Sequence, residues 1–237
     1  MKRCVLAILA VILPAVTIMS QESGKSRFPS YNFNWGVRIG FAATGTYLTK
    51  SVIDGHKLSD YTQDTQVGNF IALQLRLTAK SVLFQTGIGL NSNKSAFSID
   101  RNSWNPEATT RDEIGCSFSA LSMTIPLQVG YHIVDRPPYR MSVFTGPRLR
   151  YSPSDYYNVE YSNTVPYTYS DKPSEYILGW TAGLSIQIGR TFLDFEYEAT
   201  INNMSHDMYE TTGAASAPAM TLDRRVSVIS FSYGIIF

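Results

Sequence analysis

The stretch Leu178–Glu198, LGWTAGLSIQIGRTFLDFEYE, decides the fold. Leu178, Trp180, Ala182, Leu184, Ile186 and Ile188 alternate with Gly179, Thr181, Gly183, Ser185 and Gln187, and after Gly189-Arg190 the run Leu193, Phe195, Tyr197 alternates with Asp194, Glu196, Glu198. A period of two puts each set on its own face of a strand, and two residues between the runs leave room only for a tight hairpin. One face of the hairpin is apolar throughout. The other carries three carboxylates.

Six further segments repeat the pattern. Phe33, Trp35, Val37, Ile39 and Phe41 alternate with Asn34, Gly36, Arg38 and Gly40; Ile71, Leu73, Leu75 and Leu77 with Ala72, Gln74 and Arg76; Val82, Phe84, Ile88 and Leu90 with Gln85, Gly87, Gly89 and Asn91. Leu121, Met123, Ile125, Leu127 and Val129 alternate with Ser122, Thr124, Pro126 and Gln128; Met141, Val143 and Leu149 with Ser142, Phe144, Arg148 and Arg150; and Ile229, Phe231, Tyr233, Ile235 and Phe237 share the last face. No segment of comparable length has helical period, so the chain reads as close to all-β with eight strands. Pro126 and Pro147 each remove one ladder donor, so a bulge or strand edge is expected beside each.

Short links fall at Lys80-Ser81, Asp135 to Pro138 and Gly189-Arg190, and long ones at about residues 49–66, 92–113, 152–175 and 202–224. That sidedness is that of an eight-stranded antiparallel up-and-down transmembrane β-barrel with both termini on the short-turn, periplasmic side. A soluble lipocalin-like barrel alternates in the same way. It would scatter lysines along its water-facing strand positions, whereas Lys25, Lys50, Lys57, Lys80, Lys94 and Lys172 all fall in expected loops, turns or tails. The charges within strands, Arg38, Arg76, Arg148 and Arg150 against Asp194, Glu196 and Glu198, all fall on the polar face, where they can neutralise one another inside a closed barrel. Trp35, Tyr47, Tyr131, Tyr151, Tyr197 and Tyr233 near the stripe ends suit interfacial girdles.

Composition agrees. The 237 residues are 44% apolar and 16% charged, totals that exclude a polytopic helical membrane protein, and 13% aromatics exclude a disordered chain. With 20 basic against 19 acidic residues, the chain cannot neutralise a nucleic-acid backbone. Lys2-Arg3, the apolar run Val5 to Val16 and Ser20 read as a signal peptide cleaved after residue 20, followed by a periplasmic segment 21–31 and the barrel domain 32–237. The mature chain keeps one thiol, Cys116, and so has no internal disulfide.

Ser122-Met123-Thr124-Ile125-Pro126-Leu127 resembles the Tyr-Leu-Glu-Ile-Pro-Leu type segment of the PorT-like outer-membrane barrel proteins of the Bacteroidota. Thr145-Gly146-Pro147, Ala182-Gly183-Leu184 and Glu196-Tyr197 followed by Ile201-Asn202-Asn203 look like that family's later strands, in the same order. The resemblance implies a barrel in the outer membrane of a Gram-negative bacterium and a role in the envelope, type IX secretion among the possibilities.

Phe231, Tyr233 and Phe237 form an aromatic-terminated pattern that resembles the signal read by the barrel insertion machinery. The lumen charges read as a salt-bridged plug more readily than as a gated ion path, since buried charges must be paired to be tolerated. His206-Asp207, with Glu210 nearby, is the one constellation that a loop-rim enzyme would use, and it is thin for catalysis; His132 reads as interfacial. The third long connection carries Tyr156, Tyr157, Tyr161, Tyr167 and Tyr169, residues suited to recognising a protein or glycan, or equally to forming an aromatic collar. The expectation is a monomeric barrel in outer-membrane lipid, non-enzymatic, without cofactor or metal, that acts in binding or envelope assembly. A small channel and an enzyme using His206 and Asp207 are the alternatives.

Overall fold

The computed structural model describes residues 31–53, 56–57, 61–100, 113–153, 157–163, 169–203, 205–210 and 220–237. The expected signal peptide and residues 21–30 lie outside them. In chain order the strands are β1 (Tyr31–Ile53), β2 (His56–Lys57), β3 (Tyr61–Asp64), β4 (Gln66–Ala79), β5 (Val82–Asp100), β6 (Glu113–Arg136), β7 (Tyr139–Tyr151), β8 (Tyr157–Asn163), β9 (Tyr169–Pro173), β10 (Tyr176–Ile188), β11 (Thr191–Thr200), β12 (Ser205–Glu210) and β13 (Met220–Ile236).

Eight of these, β1, β4, β5, β6, β7, β10, β11 and β13, are successive antiparallel neighbours, and β13 pairs back onto β1 from Gly36↔Ile236 to Ile53↔Met220. The chain is therefore an eight-stranded antiparallel up-and-down barrel with no free edge in the ring. Facing follows the alternation. Phe33, Trp35, Ile39, Phe41, Ile71, Leu73, Phe84, Leu90, Leu127, Phe195 and Phe231 are exposed on the outer wall, while the polar partners of the same strands are buried inside. Tyr31 pairs with Ala79 and Gly36 with Ile236, so the first and last residues of the ring lie at the short-turn end.

The strands run further than the alternation suggests. β1 continues to Ile53, β5 to Asp100, β6 begins at Glu113 and β13 at Met220, and the β5–β6 ladder extends to Asp100↔Glu113. Much of the four stretches read as long connections is thus strand. The reason is physical: above the apolar belt the outward positions become Lys94, Ser98, Ser117 and Ser119, so the apolar alternation fades while the hydrogen-bond ladder continues. Lys50 and Lys94 accordingly lie on these extensions and Lys57 and Lys172 on the short strands β2 and β9, and not in loops.

Neither proline carries a bulge. The β5–β6 pairing lapses between Thr86↔Leu127 and Gly89↔Thr124, the β6–β7 pairing between Pro126↔Arg148 and Val129↔Thr145, and each resumes in the same register. The register shift of β6 on β7 comes instead between His132 and Val134. Gly146, at φ 156°, lies where the ladder lapses, and a Cβ there would stand 2.2 Å from the Leu127 carbonyl oxygen. Thr145-Gly146-Pro147 therefore lets two backbones approach where they exchange no hydrogen bonds.

Candidate functional site

The lumen is filled in three layers. At the short-turn end Leu83, Phe144, Phe192 and Ile236 are buried, and the Phe192 ring lies where a Cβ on Gly234 would come within 2.2 Å of it. Glycine is needed there to seat the ring.

The middle layer is ionic. Arg38 on β1, Arg76 on β4 and Arg148 and Arg150 on β7 face Asp194, Glu196 and Glu198 on β11, and all seven are between 1% and 8% exposed. Arg76 Nη2 donates to Asp194 at 3.0 Å, and Asp194 lies 3.4 Å from Arg38 Nη1. Arg38 also donates to Glu196, Glu196 accepts from Arg148, Arg148 lies 3.1 Å from Glu198, and Glu198 accepts from Arg150 at 2.8 Å. The result is one zigzag of alternating sign, Arg76, Asp194, Arg38, Glu196, Arg148, Glu198, Arg150, in which every carboxylate bridges two guanidiniums. Alternation along β11 produces it: residues two apart project to the same face about 7 Å from each other, a spacing that an arginine from β1 or β7, each two strands away in the ring, can span. The Arg76 guanidinium also lies 4.2 Å from the Phe192 ring centre, which couples this layer to the one below.

An amide row crosses the same space. Gln74 donates to Gln85 at 3.2 Å, Gln85 to Gln128 at 2.7 Å, Gln128 to Thr181 at 2.6 Å, and Thr181 to the Gly146 carbonyl at 2.9 Å. His132 is not interfacial. It is 5% exposed, points inward with the even positions of β6, and places Nδ1 2.7 Å from Ser142 Oγ. Sequence reading missed the amide row because parity shows that these side chains point inward but not which of them meet.

The upper layer is mixed: Phe97, Ile99, Cys116, Phe118, Ile177 and Val226 are buried there beside Thr46 and Ser95, and the buried Arg224 guanidinium lies 3.8 Å from the Phe118 ring centre. A void of about 20 Å³ beside Arg38, Arg148, Arg150 and Glu198 has room for about one water molecule.

Beyond the belt the sheet continues as a rim. β8 pairs with β6 from Ile114↔Asn163 to Ala120↔Tyr157, and β9 pairs with β12, which pairs with β13. Tyr157 and Tyr161 lie on β8 and Tyr169 on β9, so they belong to strands that extend the wall; Tyr156 and Tyr167 lie outside the described residues. His206, Asp207 and Glu210 lie on β12, whose register on β9 shifts between His206 and Met208. Below this insert the β7–β10 hairpin is already closed: Ser152 N donates to the Glu175 carbonyl at 2.8 Å, and the Tyr151 and Tyr176 rings lie 5.0 Å apart. At the opposite end Phe237 stacks on Trp35 at 4.6 Å and its N–H donates to the Trp35 carbonyl at 2.7 Å; Phe231 and Tyr233 face outward on β13.

Residues 19–206, most of the chain, match the outer membrane protein beta-barrel domain family. No curated protein gives a significant match. Among solved structures the fold is similar to the outer membrane protein OprG from Pseudomonas aeruginosa, at 13% identity and a TM-score of 0.47 over 88% of this chain and 98% of that one. It is similar to the outer membrane protease OmpT from Escherichia coli, at 10% identity and a TM-score of 0.48 over 89% and 99%. It is also similar to Ail, the attachment invasion locus protein of Yersinia pestis, at 13% identity and a TM-score of 0.37 over 87% and 99%. Likeness at this level carries no residue role across.

Proposed function

The chain belongs to the outer membrane protein beta-barrel domain family, and from that premise we propose that it works through its long-connection rim, as a non-enzymatic binding or assembly protein of the envelope. The observation that carries this reading is the packed lumen. Among the described residues an ionic zigzag lies between two layers of buried side chains, a filling that supports the rim as the working surface. On this reading the short turns and both termini face the periplasm, the barrel is a monomer delivered by the insertion machinery, and the rim binds a protein or glycan. A part in type IX secretion is the version that the PorT-like sequence resemblance implies.

The test removes the rim and keeps the barrel. Because Ser152 and Glu175 already meet, replacing residues 154–173 by a short Gly/Ser link should leave membrane insertion intact and preserve the mobility difference between folded and boiled forms on a gel. Crosslinking in intact cells should then lose the partners that the parent captures. Retention of every partner refutes the proposal. Loss of function from His206→Ala with Asp207→Ala, with capture intact, turns the reading toward an enzyme.

A further inference from the structure

The lipid-facing wall is not uniformly convex. A groove of about 550 Å³ crosses β13, β1, β4, β5 and β6, with Phe41, Ile71, Leu90 and Leu121 among its apolar walls. Its floor holds Asn69 and Ser92, which face each other across the β4–β5 ladder. Both point outward, and both are short where neighbouring positions carry large apolar side chains, so the hollow is built by sequence. An amide and a hydroxyl at this level leave polar groups without water, a cost that a hydrogen-bonding ligand relieves.

The groove also has a direction. Two residues beyond Ser92, about 7 Å along the same face of β5, stands the exposed Lys94, and above it the outward positions turn polar. Moving from mid-belt to rim along β5, the wall offers Leu90, then the Asn69 amide and the Ser92 hydroxyl, then the Lys94 ammonium, with Val67 on β4 beside it. An acyl chain, its ester or amide linkage, and a phosphate follow one another in that order in a phosphorylated lipid. We propose that this groove binds one acyl chain of an anionic phospholipid of the leaflet on the long-connection side, with the linkage at Asn69 and Ser92 and the phosphate at Lys94.

The test uses the purified folded protein in phosphatidylcholine nanodiscs containing a small fraction of spin-labelled phosphatidylglycerol, with spin-labelled phosphatidylcholine as reference. The motionally restricted fraction should favour phosphatidylglycerol, and Lys94→Gln should cut that preference about five-fold, the weight of one lysine beside an anionic lipid. Asn69→Leu with Ser92→Leu fills the hollow with lipid-compatible side chains, so the barrel still folds, and should abolish the preference. Lys80→Gln, at the opposite end, should leave it unchanged. Equal restriction of the two lipids, or a preference that survives both groove variants, overturns the proposal. So does a dimer in native mass spectrometry that the double leucine variant dissolves, which assigns the groove to a second copy of the chain.

Discussion

Arg76 Nη2 lies 3.1 and 3.0 Å from the two carboxylate oxygens of Asp194, although 118 positions separate them in the chain. The pair crosses the lumen from β4 to β11, and both side chains are buried. Removing one partner from such a site leaves a guanidinium uncompensated in a dry interior, so Asp194→Ala should lower stability by about 3–5 kcal/mol. The exposed pair Arg140 and Asp135, at 2.9 Å, is the control: Asp135→Ala should change stability by less than about 1 kcal/mol. Urea titration of the folded gel form measures both, and equal effects would remove the lumen network from the account of stability.

Depth along the wall gives a second expectation. Leu73 is outward and 46% exposed in the apolar belt, so Leu73→Arg should cost about 2–4 kcal/mol. Ser98 lies on β5 beyond the belt, where Ser98→Arg should cost at most about 1 kcal/mol. The same titration read for both substitutions locates the upper edge of the hydrocarbon layer, and a costly Ser98→Arg would place that edge higher than Lys94.

The Trp35–Phe237 stack separates packing from recognition. Each single alanine substitution removes the same ring contact, so the folded barrels should lose similar stability. Only Phe237→Ala alters the end of the last strand, so it alone should slow assembly in cells while synthesis of the chain is unchanged. Equal assembly of the two variants, measured by pulse labelling, would leave Phe237 with a packing role.

Planar bilayers should show no steady conductance. Phe97→Ala with Phe118→Ala opens the upper layer yet leaves the ionic zigzag, so that variant should stay closed as well. A parent conductance that changes with Glu196→Gln would move the reading to an ion channel.

Eight strands, their facing and the side on which the chain ends were legible because one physical signal, apolar alternation, holds wherever lipid lies outside. The signal stops at the belt. Phe97, which falls in a stretch read as a long connection, and Phe118, just beyond it, are buried on strands that lipid no longer marks. Partner choice inside the lumen was the other blind spot. The polar positions Gln74, Gln85 and Gln128 were visible singly, but their meeting depends on the register of three strands, which turns and a lapsed ladder set. His132 shows the same limit, since its distance from a turn said less than its parity on β6.

All four arginines of the zigzag come from β1, β4 and β7, and all three of its carboxylates come from β11. During synthesis the cations are therefore complete while the anions have yet to be made. A chain cut short before β11 carries four guanidiniums with none of their acidic partners, and it also lacks β13, without which the ring has two open edges. The last part of the chain thus supplies both the acidic partners of four buried guanidiniums and the strand that seals the ring, so pairing inside the lumen and closure of the wall are completed by the same end of the molecule.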